Sequence, residues 1–502
     1  MFSSKTNQFD LVIHNGYVVT ASDILPPSVY IGLKDGVIDQ ISARPLTGKR
    51  VIDAEGGYVM PGGVDSHVHL SQKNTPAGDT IESGTRSATP GGTTTVIPFA
   101  VQASKDDFDV VSVVEDYHKV ADGQAYCDYG FHLIVSNPNE EMLSEQLPQL
   151  VEKEGITSVK VYTTYPRYKL SDEQLLDILL SNRKMGVTTM IHAENSDIID
   201  FIGKKLEEKK MIDPYYHSVS RPLVAEDEAT YRVISLSKMI DVPILIVHMS
   251  SETALSTVRE AQTSLVPIFA ETCPQYLFLT ADYLKHDCHH HVHKNDSFQG
   301  AKYICSPPLR QTVKELEGVW KAIQNGTVTV FSSDHAPTVY DHPLGKKAGL
   351  VNGVPHYKKV PNGLPGIETR MPLLFCKGVE SGRITPQKFV ELCCSNPAKM
   401  YGLGDRKGSI SVGMDADLVI WYPKGKLQPF SLDNSMLHHG IDYSPFEGME
   451  FSNWPRYTIL RGNVVWDRDN GGLIASKGVG KYLKRGKSSL GGPIKELDEI
   501  LA

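Results

Sequence analysis

A chain of 502 residues, 40% hydrophobic and 22% charged, has the make-up of a globular protein with one large domain and a smaller companion. A net charge of −8 and a pI near 6.1 exclude the basic footprint of a nucleic-acid binder or a polybasic membrane surface. No run approaches the ~18 apolar residues of a membrane span, and the opening MFSSKTNQFD lacks a signal-peptide core. Seven cysteines, with Cys393 and Cys394 adjacent, make no disulfide framework, so a reducing, cytoplasmic setting is expected.

In chain order, residues 1–60 read as short strands: DLVIHNGYVVT alternates around a turn at Asn15-Gly16, and SVYIGLKDGVIDQIS is a hairpin bending at Asp35-Gly36. Residues 61–404 change rhythm. Eight apolar runs (GGVDSHVHL, TTTVIPFA, YGFHLIVS, SVKVYTTY, VTTMIHAEN, PILIVHMSS, PIFAETCPQY and VTVFSSDHAP) are interleaved with helical stretches such as LSDEQLLDILLSNRKMG and ALSTVREAQTS. This order predicts an α/β fold, a (β/α)₈ TIM barrel. Strand patterns return over 405–475, in GSISVGMDADLVIWYP and YTILRGNVVWDRD. Neither terminal β segment can bury a core alone, so the two are expected to form one smaller β-sandwich. Residues 476–502, rich in Lys, Gly and Ser, are expected as an extended tail with a short helical end, able to reach a neighbouring subunit.

In a barrel, reactive side chains gather at the C-terminal ends of the strands. His67 and His69 lie two apart, which on a strand turns both rings to one side. His192 and His248 each close an apolar run. Lys160 sits inside one, and Asp334 follows the last. Each has an ordinary reading taken singly: a core histidine, an ion-paired lysine, a carboxylate held by donors. Four histidines, one aspartate and one lysine converging on one barrel mouth instead predict a metal site. The histidine-dense segment KHDCHHHVHKND is different. Its 287–293 core has no barrel-strand character and is expected to be a surface loop insertion, while His132, His335 and His356 are expected as structural residues or partners of the ligands.

These runs, together with CSPPLR, PNGLPGIETRMPLL and NPAKMYGL, occur in the order found in the cyclic amidohydrolases. Over nearly its whole length the chain resembles their dihydropyrimidinase/hydantoinase branch. The resemblance implies two Zn²⁺ per subunit and a CO₂-derived carbamate on Lys160 that bridges them. His67, His69 and Asp334 would complete one metal, and His192 and His248 the other. Asp334 would also act as the catalytic base, and Tyr165 would donate a hydrogen bond to the developing oxyanion. The main chain at Ser306 and Asn362 would bind the imide edge of the ring. The implied activity is ring opening of 5,6-dihydrouracil, 5,6-dihydrothymine and hydantoins in pyrimidine catabolism, by a homotetramer acting on a small cyclic amide or imide with no nucleic-acid or membrane partner.

Three related readings compete. Dihydroorotase-like enzymes carry Arg where Ser71 follows Leu70, and allantoinases typically carry His at Gln275. Non-catalytic dihydropyrimidinase-related scaffold proteins have lost metal ligands, whereas all six ligand positions stand here. The segment SQKNTPAGDTIESGTRSA departs from the longer, more apolar loop of many relatives, which leaves substituent preference open.

Overall fold

The computed structural model describes residues 8–291 and 296–491. Its centre is a ring of eight parallel strands: β1 (Gly63–Val68), β2 (Thr93–Val101), β3 (His132–Ile134), β4 (Ser158–Tyr162), β5 (Thr188–His192), β6 (Ile244–Ile246), β7 (Ile268–Thr272) and β8 (Val330–Phe331). Each pairs with the next, and a parallel bridge between Val68 and His335 links the end of the last strand to the first. The eight apolar runs of the sequence supply these eight strands. Helices cover the outer face, so the strands are buried on both sides; every residue of β2 is out of solvent.

Local chemistry sets the helix limits. The helix Asp172–Met185 starts on a capping box between Ser171 and Gln174, and it ends at Gly186, whose φ of +72° suits a residue without Cβ. The helix Glu252–Thr263 is capped by the Ser251 side chain.

Both ends of the chain build the smaller β unit. One sheet has four strands, Val37–Ser42, Tyr30–Lys34, Phe9–His14 and Gly48–Asp53. The other combines Tyr17–Val19, Ile24–Leu25 and Tyr58–Pro61 with Leu418–Trp421, Pro455–Leu460, Asn463–Asp467 and Gly472–Leu473. Leu11, Ile31 and Ile38 meet Leu418 and Ile459 in a shared core. The Asp35-Gly36 hairpin forms as read. The Asn15-Gly16 turn is not a hairpin bend. Phe9–His14 pairs with Tyr30–Lys34 and Gly48–Asp53, while Tyr17–Val19 crosses to Tyr58–Pro61 in the other sheet.

The tail, expected as an extended segment able to reach a neighbouring subunit, binds its own chain. Up to residue 491 it lies against its own barrel, across the N-terminal ends of the strands. Main-chain bonds join Leu483 N–H to Tyr129 O (2.7 Å), Arg485 N–H to Gly155 O (3.2 Å) and Gly486 N–H to Gly402 O (3.0 Å). Arg485 enters the barrel floor, where its guanidinium donates to Ser158 Oγ at 2.8 Å. The expected helical end lies outside the described residues. All seven cysteines are buried free thiols. No helix among the described residues is long and apolar enough to cross a membrane.

Candidate metal centre and active site

The C-terminal mouth of the barrel opens into a cavity of about 320 Å³. His67, His69, Lys160, Tyr165, His192, His248, Ser306, Asp334 and Asn362 all line it, so the nine residues expected as ligands, catalytic groups or substrate contacts come together at one place.

His67, His69 and Asp334 each turn one ligand atom toward a common point, with all three atoms within 4.8 Å of one another. The ring centroids of His67 and His69 lie 5.5 Å apart, those of His67 and His248 5.4 Å, and those of His248 and His192 4.4 Å. Lys160 Nζ stands 3.1 Å from His67 Nε2, and Asp334 Oδ1 stands 3.2 Å from the same nitrogen.

Carboxylates behind the rings fix their tautomers. His67 Nδ1 lies 2.6 Å from Glu271 Oε1; with Glu271 ionised, as a bound cation would keep it, Nδ1 carries the proton and the Nε2 lone pair faces the cavity. His192 Nε2 lies 2.7 Å from Glu194 Oε2, which also accepts from Arg221 at 2.5 Å. Burial raises the Glu194 carboxyl, but the Arg221 charge and the His192 hydrogen bond outweigh it and hold it down to about 2. An ionised Glu194 keeps the proton on Nε2 and frees Nδ1 of His192. On the other side of the mouth, His69 Nδ1 is 2.8 Å from Gln72 Nε2.

The electrostatics fit a bound cation. Burial, with like charge nearby, pushes Asp334 up to about 7 and Glu271 up to about 8. Burial alone forces the Lys160 amine down to about 8, against the opposing pull of Asp334 and Glu271. Dry carboxylates of this kind need positive charge to stay ionised. His248 Nδ1 is buried with no hydrogen-bond partner among the described residues. Imidazoles and one carboxylate are donors suited to zinc.

Backbone strain gathers here as well. Tyr165, His248 and Asp334 all sit at positive φ, between +42° and +66°, at about 1–3 kcal/mol apiece. The turn after Asp334 is held by its neighbour. His69 N–H donates to His335 O at 2.7 Å, His335 Nδ1 accepts from Gly366 N–H at 3.1 Å, and His335 Nε2 pairs with buried Asp79 at 3.0 Å. Tyr165 OH accepts from Asn362 Nδ2 at 3.2 Å, which leaves the phenolic proton free to donate. Burial raises the Tyr165 phenol, so it stays protonated at neutral pH.

The described part of the histidine-rich segment lies away from this cavity. His291 is buried, with Nε2 2.8 Å from Tyr283 O and its ring stacked on Tyr303. That histidine is part of the protein's packing, not a bare surface residue. His293 falls outside the described residues. His132 is buried beneath the site between Ser66 and Ser158, and His356 stands 3.5 Å from Glu207. Sequence reasoning missed Glu194, Glu271, Asp79, Gln72 and Arg221. For the first two the signal was present, since IHAEN and IFAETC each end an apolar run on a carboxylate.

Comparison with known proteins gives a consistent result. A model of the amidohydrolase family matches residues 58–465. A D-hydantoinase of Geobacillus stearothermophilus is 38% identical over 482 residues, covering 95% of this chain and 96% of the relative. A D-hydantoinase of Rhizobium radiobacter is 37% identical over 483 residues, covering 95% and 99%. The crystal structure of dihydropyrimidinase from Brevibacillus agri superimposes with a TM-score of 0.87 at 35% identity, covering 95% of this chain and 99% of that one.

Proposed function

This chain belongs to the amidohydrolase family and is a cyclic amide hydrolase; on that premise we propose that it opens 5,6-dihydrouracil, 5,6-dihydrothymine and hydantoins to their N-carbamoyl acids. The observation that carries the reading is the meeting of four histidines, Lys160 and Asp334 in one cavity of about 320 Å³. In this proposal the Lys160 ammonium first gives up a proton, the neutral Nζ then adds to the carbon of CO₂, and a second proton leaves the nitrogen for solvent. The resulting carbamate turns a repelling cation into an anionic ligand. His67, His69 and Asp334 would hold one Zn²⁺ and His192 and His248 another, with the Lys160 carbamate as a further ligand. Zinc bound there supplies Lewis acidity and brings the pKa of water down toward about 7.

The rest of the chemistry belongs to the chain. Asp334, at the rim beside His67, takes a proton from the attacking water and returns it to the leaving ring nitrogen. Tyr165 donates to the carbonyl oxygen as negative charge grows on it, with Asn362 Nδ2 orienting the phenol. Main-chain groups at Ser306 and Asn362 bind the –CO–NH–CO– edge. That edge is common to five- and six-membered rings, so both are substrates. A homotetramer, a cytoplasmic setting and a place in pyrimidine catabolism complete the proposal.

Parallel rates for dihydrouracil, hydantoin and allantoin on zinc-loaded protein test it. Turnover of the first two ahead of allantoin is expected. Allantoin as the fastest substrate would refute the assignment, and a protein that takes up no zinc and turns over none of the three would favour the scaffold reading.

A further inference from the structure

One buried cation near the cavity belongs to no ligand set. Lys346 is fully buried, and its Nζ donates to Ile304 O at 3.0 Å, Pro361 O at 2.8 Å and Gly363 O at 2.7 Å. An ammonium has three N–H donors, and here each meets a carbonyl. No carboxylate pairs with it among the described residues, and burial pushes the amine down to about 7. A bare ammonium is expensive to bury. If the space needed only filling, a methionine would fill it at lower cost.

The three carbonyls lie on two different segments. Ile304 stands two residues before Ser306, while Pro361 and Gly363 flank Asn362. Ser306, Pro361, Asn362 and Gly363 all line the cavity. Gly363 N–H also donates to Ile304 O at 3.0 Å, so that oxygen joins the segments twice. The lysine is anchored from behind. Its own N–H donates to Val339 O at 3.0 Å, and a Cβ on Gly345 would stand 1.8 Å from that same oxygen, so the approach admits only glycine.

We propose that Lys346 is a positioning residue for the substrate ring, its three-carbonyl tie setting the spacing between the main chain at Ser306 and at Asn362. The inference rests on the reading above, in which those two segments bind the imide edge. Lys346 touches no metal-ligand candidate, so its loss should appear in binding ahead of chemistry.

The test uses the full zinc-loaded chain with dihydrouracil and hydantoin. Lys346→Met keeps the stem and removes the donors; Lys346→Ala leaves room for propylammonium, which replaces the missing carbons and nitrogen. We expect KM to rise about tenfold or more in both variants, with kcat and zinc per chain close to wild type. Added propylammonium should return KM toward wild type in the alanine variant, and propanol should not. A KM within about twofold of wild type overturns the proposal. So does a fall in kcat and zinc content at constant KM, which would make the lysine a support of the metal site. Failure of both variants to fold, even with propylammonium present, would assign it to folding alone. A wild-type chain inert toward both substrates would instead overturn the substrate reading, and the inference would fall with it.

Discussion

Glu271 is the residue through which the two halves of the candidate metal centre hold each other. Its Oε1 accepts from the His67 ring at 2.6 Å and from the His248 main chain at 3.3 Å. Glu271→Leu keeps most of the volume and removes both bonds. A hydrogen bond to a charged group contributes about 1.5–3 kcal/mol, which corresponds to about tenfold to a hundredfold in an equilibrium constant. Loss of an outer partner of a metal-bound histidine falls in the same range for metal affinity. We therefore expect zinc affinity, measured by competition with a chromogenic chelator, to fall by about ten- to a hundredfold. Glu271→Gln retains an oxygen that accepts from Nδ1 and should lose much less. A leucine variant with zinc affinity within about twofold of wild type would refute the reasoning that this carboxylate orients His67.

The remaining predictions concern stability. Lys407 Nζ is buried among Asp417 (2.6 Å), Asp128 (2.8 Å) and Asp415 (3.0 Å); Lys407→Met leaves Asp128 its Arg461 partner and Asp415 its Arg406 partner but strips buried Asp417 of its side-chain cation, and should cost about 3–5 kcal/mol in urea unfolding. A cost under about 1 kcal/mol would mean that the cluster relaxes into water. Deleting residues 479–502 uncovers the barrel floor at Tyr129, Phe131 and Tyr401, and a lower Tm or insoluble protein is expected; an unchanged Tm would show that the tail adds nothing. Zinc removal by chelation should lower Tm reversibly, since free metal at about 100 times its Kd stabilises the folded state by ~2.7 kcal/mol.

Residues that had to reconcile a charge with an apolar neighbourhood were legible in the sequence. Lys160 and Asp334 stood out because neither is stable in its run without a partner, and the structure sets both at the same rim. Glu194 and Glu271 satisfied the same criterion but went unread, because their partners on other elements, Arg221 and His67, lie far along the chain. Lys346 carried no signal at all: its acceptors are main-chain carbonyls, which every sequence has. Fold legibility followed the same division. Eight buried strands announce themselves by continuous apolar runs. The Asn15-Gly16 turn does not reveal whether the strands it joins will pair, because that depends on Gly48–Asp53 and Tyr58–Pro61 claiming one strand each. The tail read as an extended segment by composition. Its attachment runs through main-chain bonds and the single side chain of Arg485, neither of which composition records.

The most direct test of the proposed centre is a crystal structure of zinc-loaded, active protein at a resolution that shows the end of the Lys160 side chain. The account predicts a carbamate there, shared by two ions that are held otherwise by His67, His69, Asp334, His192 and His248. An unmodified amine on Lys160 in metal-replete, fully active protein would contradict it.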